Sequence, residues 1–130
     1  MHIERREFIV MAAVAALPVN ALSEGNQKMY GLIGKMTTVA GKRDELIAIL
    51  LEGTGDMPGC LSYIVAKDPA DADAIWITEV WDSEESHKAS LALPAVKQAI
   101  TRGRPLIAGF SNSTVTEPVG GIGIAPAKTR

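Results

Sequence analysis

From Met29 onward the apolar positions change period several times, and each change marks an element. Met29 to Val39 alternates weakly, with Tyr30, Leu32, Gly34 and Met36 against Gly31, Ile33, Lys35 and Thr37, which predicts a strand ended by Ala40-Gly41. In Lys42 to Glu52 the apolar residues Leu46, Ile47, Leu50 and Leu51 recur at the spacing of one helical face. Asp44 and Glu45 suit the first turn of that helix, and Gly53 supplies a stop. A turn-rich stretch, Gly55 to Gly59, leads to a second strand, Cys60 to Lys67, with Leu61, Tyr63 and Val65 on one side. Asp68 to Asp73 reads as a polar hairpin loop. Ala74 to Trp81 is a third strand, with Ile75, Ile77, Glu79 and Trp81 facing one way and Trp76, Thr78 and Val80 the other. Asp82 is placed to cap a helix over Ser83 to Leu91, with Glu85 three residues on. Pro94 restarts a further helix, in which Val96, Ala99 and Ile100 form an apolar edge and Gly103 the end. Ile107 to Glu117 is the last strand, and 118–130 is a glycine-rich tail, expected to be flexible.

The order is β-α-β-β-α-β, the pattern of an α+β, ferredoxin-like antiparallel sheet with its helices on one face. The other face keeps apolar side chains. Packing it against a second copy is the simplest way to bury them, so a homodimer joined through its sheets is expected.

The start of the chain follows a different logic. Residues 1–21, MHIERREFIVMAAVAALPVNA, pair Arg5-Arg6 with an uninterrupted apolar run from Phe8 to Leu17, then Pro18 and small residues at a cleavage position. That is the layout of a signal peptide, with the arginine pair of a twin-arginine signal. Glu4 stands where such a signal usually has Ser or Thr, and Val10 where it often has Lys. The expected location is the periplasm or outside the cell, with 22–28 as a linker. If Met29 is the true start, the protein is cytoplasmic.

Composition narrows the function. A chain of 130 residues, 47% apolar and 22% charged, fits one folded domain. With 13 basic against 15 acidic residues it has no basic footprint for nucleic acid. One cysteine, Cys60, and two histidines, His2 and His87, cannot build a closed zinc site. No apolar run reaches the roughly 18–20 residues of a membrane-spanning helix. No phosphate-binding or dinucleotide loop follows a strand, and no nucleophile elbow is present.

What remains is the run Trp76 to His87. Glu79 faces an apolar layer, where a carboxylate needs a partner or a raised pKa. His87 follows on the next helix and is the natural base for a phenolic hydroxyl. Tyr63, and Asn112 or Ser113, stand on neighbouring strands as hydrogen-bonding groups. Each has a structural alternative. Trp76 and Trp81 can be packing residues, His87 a surface residue, and Glu79 half of an ion pair with Arg102 or Arg104. Cys60 is expected to be a small, unreactive, buried residue.

The stretches MYGLIGKMTTVAGKRDELIAIL, PGCLSYIVAKD, IWITEVWDSEESHKASL and RPLIAGFSNSTV together resemble the antibiotic biosynthesis monooxygenase family, above all its quinol monooxygenase-like members. The most telling part is Glu79-x-Trp81 followed by His87, and the likeness covers about 29–117. It implies a dimeric α+β barrel and a pocket between sheet and helices. Some members oxidise quinols or phenols with O₂ and no metal, flavin or haem. On that resemblance His87 is the proton acceptor or orienter and Glu79 polarises it or binds a hydroxyl. Trp76, Trp81 and Phe110 wall the pocket, with Tyr63 and Asn112 binding substrate. The implied partners are a small aromatic substrate and O₂, with no cofactor and no membrane anchor. Haem-degrading relatives carry a Trp and a haem-binding His where this chain has Ser90 and Ile100, which disfavours that chemistry. A non-catalytic dimeric binding module, and an isomerase using His87 or Glu79 as proton shuttle, are the alternatives on the same fold.

Overall fold

The computed structural model describes residues 28–124. The expected signal segment 1–21, most of the linker and the end of the tail lie outside the described residues. Four strands form one antiparallel sheet in the order β2-β3-β1-β4: β1 Tyr30–Thr38, β2 Cys60–Lys67, β3 Ala74–Trp81 and β4 Ile107–Thr116. Helices α1 (Arg43–Gly53), α2 (Glu84–Ser90) and α3 (Pro94–Gly103) cover one face, and a 3₁₀ turn, Arg104–Leu106, leads into β4. This is the expected ferredoxin-like arrangement.

The register explains which side chains meet the helices. Tyr30 pairs with Trp81, Leu32 with Glu79, Gly34 with Ile77 and Met36 with Ile75 across β1 and β3. Tyr63 and Val65 of β2 continue that layer opposite Glu79 and Ile77. The buried apolar residues divide into one group of Tyr30, Leu32, Met57, Trp81 and Val96 and another around Met36, Leu46, Ile75, Ile77 and Ile107. A cavity lined by members of both lies between them.

Three local expectations shift. The buried face of α1 is Leu46, Ile49 and Gly53, while Leu51 is 56% exposed. Packing against α3 turns the helix about one position from the face inferred. Gly53 does more than stop α1: a Cβ there would come within 2.5 Å of Ala99 Cβ and 3.1 Å of the Ala95 carbonyl oxygen. Finally, Ser83 and not Asp82 caps α2, its Oγ accepting from the Ser86 N–H at 3.1 Å. The Asp82 N–H is spent instead on the Gly59 carbonyl, at 2.8 Å. At the far end, Pro118 to Gly123 is mostly exposed, with one bridge between Gly121 and Ile124.

Candidate functional site

Glu79 and Trp81 lie two residues apart on β3, so both point at the helices. The indole of Trp81 is 1% exposed, and its Nε1–H must find a partner; it donates to Glu79 Oε1 at 2.8 Å. Where β3 ends, the Ser83 cap starts α2 at once, and helical spacing turns His87 and Ser90 inward as a buried pair. Gly59 makes this close approach possible. It has φ +86°, and any Cβ there would collide with the Ser86 side chain. His87 is held edge-on to Trp81, with ring centroids 5.4 Å apart and planes at 75°. Its other neighbour is Tyr30, also at 5.4 Å, tilted by 39°.

Glu79, Trp81, His87 and Ser90 border a cavity of about 120 Å³ between sheet and helices. A cavity of about 150 Å³ can hold benzene, so this one takes roughly one aromatic ring, with any further ring reaching toward the opening. The walls are largely aliphatic, from Leu32, Met36, Ile77, Val96 and Ile100 among others. Six polar side chains also line it: Thr54, Tyr63, Glu79, His87, Ser90 and Ser113. Two of them are already spent within their helices. Ser90 Oγ donates to the His87 carbonyl at 2.6 Å and Thr54 Oγ to the Leu50 carbonyl at 2.7 Å. Tyr63, Glu79, His87 and Ser113 are left to meet a ligand.

Burial sets their charge. Desolvation lifts the Glu79 carboxyl to about 7, and the Trp81 hydrogen bond only partly offsets this. Desolvation lowers the His87 imidazole to about 4, so it is uncharged at neutral pH. The Tyr63 phenol is pushed up by burial and then by Glu79. Tyr30 rises to about 12, from burial first and the carboxylates of Glu84 and Glu79 second. Two buried polar atoms on these neighbouring rings, His87 Nδ1 and the Tyr30 hydroxyl, have no hydrogen-bond partner. The Cys60 thiol is raised by burial and lies against the Ser62 carbonyl at 3.5 Å, a poor nucleophile.

Of the residues singled out in the sequence, the structure brings together His87, Glu79, Trp81, Tyr63 and Phe110 around this cavity. Trp76 is not among them. It lies on the opposite sheet face, donating from Nε1 to Asp68 Oδ2 at 3.0 Å beneath the Lys35 ammonium, 5.7 Å from its ring. Its alternation with Glu79 along β3 already placed it there. Asn112 is also absent: it is exposed with φ +53°, in a bulge where β4 inserts a residue opposite Gly34. The bulge instead brings Ser113, itself exposed, to the edge of the cavity. Glu79 does not pair with Arg102, which meets Glu52 at 3.2 Å, nor is an ion pair to Arg104 formed. Tyr30 was missed because a strand-initial tyrosine reads as ordinary packing. Its pairing with Trp81 needs the register. Among the described residues no cluster of three His, Cys, Asp or Glu side chains is placed to hold a metal, and no helix is long and apolar enough to cross a membrane.

Fold and cavity together define a ferredoxin-like α+β protein with a hollow between sheet and helices. The model of the family described as antibiotic biosynthesis monooxygenase matches residues 29–102. A candidate antibiotic biosynthesis monooxygenase from Chloroflexus aurantiacus J-10-fl is 68% identical over 75% of this chain and 99% of its own, with a TM-score of 0.73. A second such candidate, from Deinococcus radiodurans, is 29% identical over 74% of this chain and 98% of its own, at 0.60. A Bacteroides thetaiotaomicron protein of unknown function, described as a possible oxidoreductase, shares the fold at 19% identity, covering 71% of this chain and 99% of its own, with a TM-score of 0.63. A search of curated proteins finds no match. The chain belongs to the antibiotic biosynthesis monooxygenase family, and this membership supports a monooxygenase-type function.

Proposed function

We propose that the protein is a monooxygenase that oxidises a quinol or phenolic aromatic with O₂ and without a cofactor. The observation that carries this reading is the meeting of Glu79 and an uncharged His87 in a mainly aliphatic cavity of one-ring size. An electron-rich quinolate reduces O₂ itself, so the protein has three tasks: hold the ring, take a proton and keep water away. The proton acceptor is best when its pKa lies near the working pH. Glu79, at about 7, meets that condition and His87, at about 4, does not. Glu79 therefore takes the hydroxyl proton, and His87 orients the ring through a hydrogen bond.

The quinolate passes one electron to O₂, and the resulting pair of radicals joins at a ring carbon as a hydroperoxide. Its O–O bond breaks as that carbon loses its hydrogen. One oxygen stays on the ring as a carbonyl or hydroxyl and the other leaves as water. The ring loses four electrons, O₂ gains four, and no outside reductant is needed. With menadiol, O₂ uptake should exceed autoxidation, the product should carry one atom from labelled O₂, and both should be lost in Glu79→Gln and His87→Ala. Uptake at background across a quinol panel would leave a ligand-binding module instead.

Two further parts belong to the proposal. The protein works as a homodimer, for which the support is the uncovered sheet face, where Ile64 is 53% exposed. It is exported, for which the support is the Arg5-Arg6 pair and the apolar run after it. An amino terminus at Leu22 on protein recovered from its host would agree, and one at Met29 would not.

A further inference from the structure

The residues around the cavity include no Lys and no Arg among those described. Glu79 is the only carboxylate there, and His87 is the only side chain of that lining with a cationic form. From this lining we infer that the site selects aromatic ligands by charge: it takes an uncharged hydroxylated ring, rejects rings bearing a carboxylate or sulfonate, and tolerates a cationic amine beside Glu79. The inference deepens the oxygenase reading by naming the class of substrate, and it rests on the same cavity.

An anionic ring entering this site loses its hydration and finds no counter-ion. Burial keeps the imidazole uncharged, so His87 does not supply one. The carboxylate of Glu79 then adds repulsion. Its Oε1 is fixed by the Trp81 indole at 2.8 Å, which holds the carboxylate in place at the cavity wall. The donors that remain, Tyr63 and Ser113, are neutral and suit a hydroxyl or carbonyl oxygen. Lys35 is taken by Asp68 at 3.5 Å on the opposite sheet face and Arg102 by Glu52, and Arg104, next in sequence to the lining residue Gly103, is not among the residues that border the cavity.

The test is calorimetric titration of the full chain under argon at pH 8, with four probes of one size. These are 2-naphthol, 2-naphthylmethanol, 2-naphthoate and 2-naphthylmethylammonium. The two alcohols should bind, and 2-naphthoate should bind at least about tenfold more weakly than 2-naphthylmethanol. In Glu79→Gln, checked for folding by circular dichroism, that gap should narrow several-fold and the ammonium should lose affinity. Equal or tighter binding of 2-naphthoate, or no binding of either alcohol at millimolar concentration, overturns the inference. A gap that Glu79→Gln leaves unchanged overturns the assignment to Glu79. Oxygen chemistry plays no part in this readout. A protein that sorts the four ligands as described but consumes no O₂ would refute only the oxygenase reading, and one that oxidises carboxylated quinols as fast as neutral ones would refute only the charge rule.

Discussion

At the scale of single residues, His87 and Glu79 are buried in opposite electrostatic senses, and stability against pH exposes this. His87 has its folded pKa lowered from 6.5 to about 4. The unfolded chain therefore binds the extra proton between those values, and His87 costs stability as pH falls through that window. Glu79 has its folded pKa raised from 4.5 to about 7. The folded chain binds the extra proton there, so Glu79 costs stability as pH rises from 4.5 to 7. Over most of the range the two slopes oppose one another. His87→Leu should unmask a fall in stability from pH 4.5 to 7, and Glu79→Gln a fall toward acid, in urea melts compared with the parent at each pH. Parallel curves for parent and variants would refute the burial of both groups. The Tyr30 hydroxyl offers a second measurement. It is buried without a partner, and an unmet buried hydroxyl costs roughly 1–3 kcal/mol, so Tyr30→Phe should be neutral or stabilising by about 1 kcal/mol. A clear loss would mean that the hydroxyl is met by water or ligand.

At the scale of elements, packing decides against propensity at Gly53. Replacing a helical glycine with alanine gains up to about 1 kcal/mol from chain entropy. Here the new methyl would lie 2.5 Å from Ala99 Cβ, and overpacking of that kind costs about 1–3 kcal/mol. Gly53→Ala should therefore destabilise on balance, by about 1 kcal/mol in a denaturant melt, by pushing α1 from α3 above the cavity. A stabilised variant would show that the two helices yield freely. The same contrast explains how much could be read in advance. Strand and helix positions were legible because their periods are written in apolar spacing, and the shared face of Glu79 and Trp81 followed from alternation alone. The capping residue, the true face of α1 and the place of Asn112 were not. Each depends on a contact between segments distant in sequence: Gly59 drawing off Asp82, α3 turning α1, and a bulge in β4 set against Gly34. Trp76 was legible by face but drawn into the pocket by its residue type.

At the scale of the whole molecule, the cavity and the uncovered sheet face lie on opposite sides of one layer, so assembly and ligand binding should separate. Strands about 4.8 Å apart, rising about 3.3 Å per residue, give four strands of some eight residues a footprint of roughly 500 Å². Two such faces remove near 1,000 Å², at the lower edge of what a specific interface needs. A dimer through the sheets is then sensitive to a single buried charge, and Ile64, an exposed apolar residue of the edge strand β2 on the uncovered face opposite Thr78, is the place to put one. The parent should show a two-chain mass by light scattering at micromolar concentration, and Ile64→Asp a one-chain mass. Because Ile64 contributes nothing to the helix-side core, the monomer should stay folded and bind 2-naphthol within about twofold of the parent, since non-contacting sites act almost independently. A one-chain parent would refute the sheet-to-sheet dimer. A folded monomer that no longer binds would show instead that the partner copy shapes the cavity through the sheet.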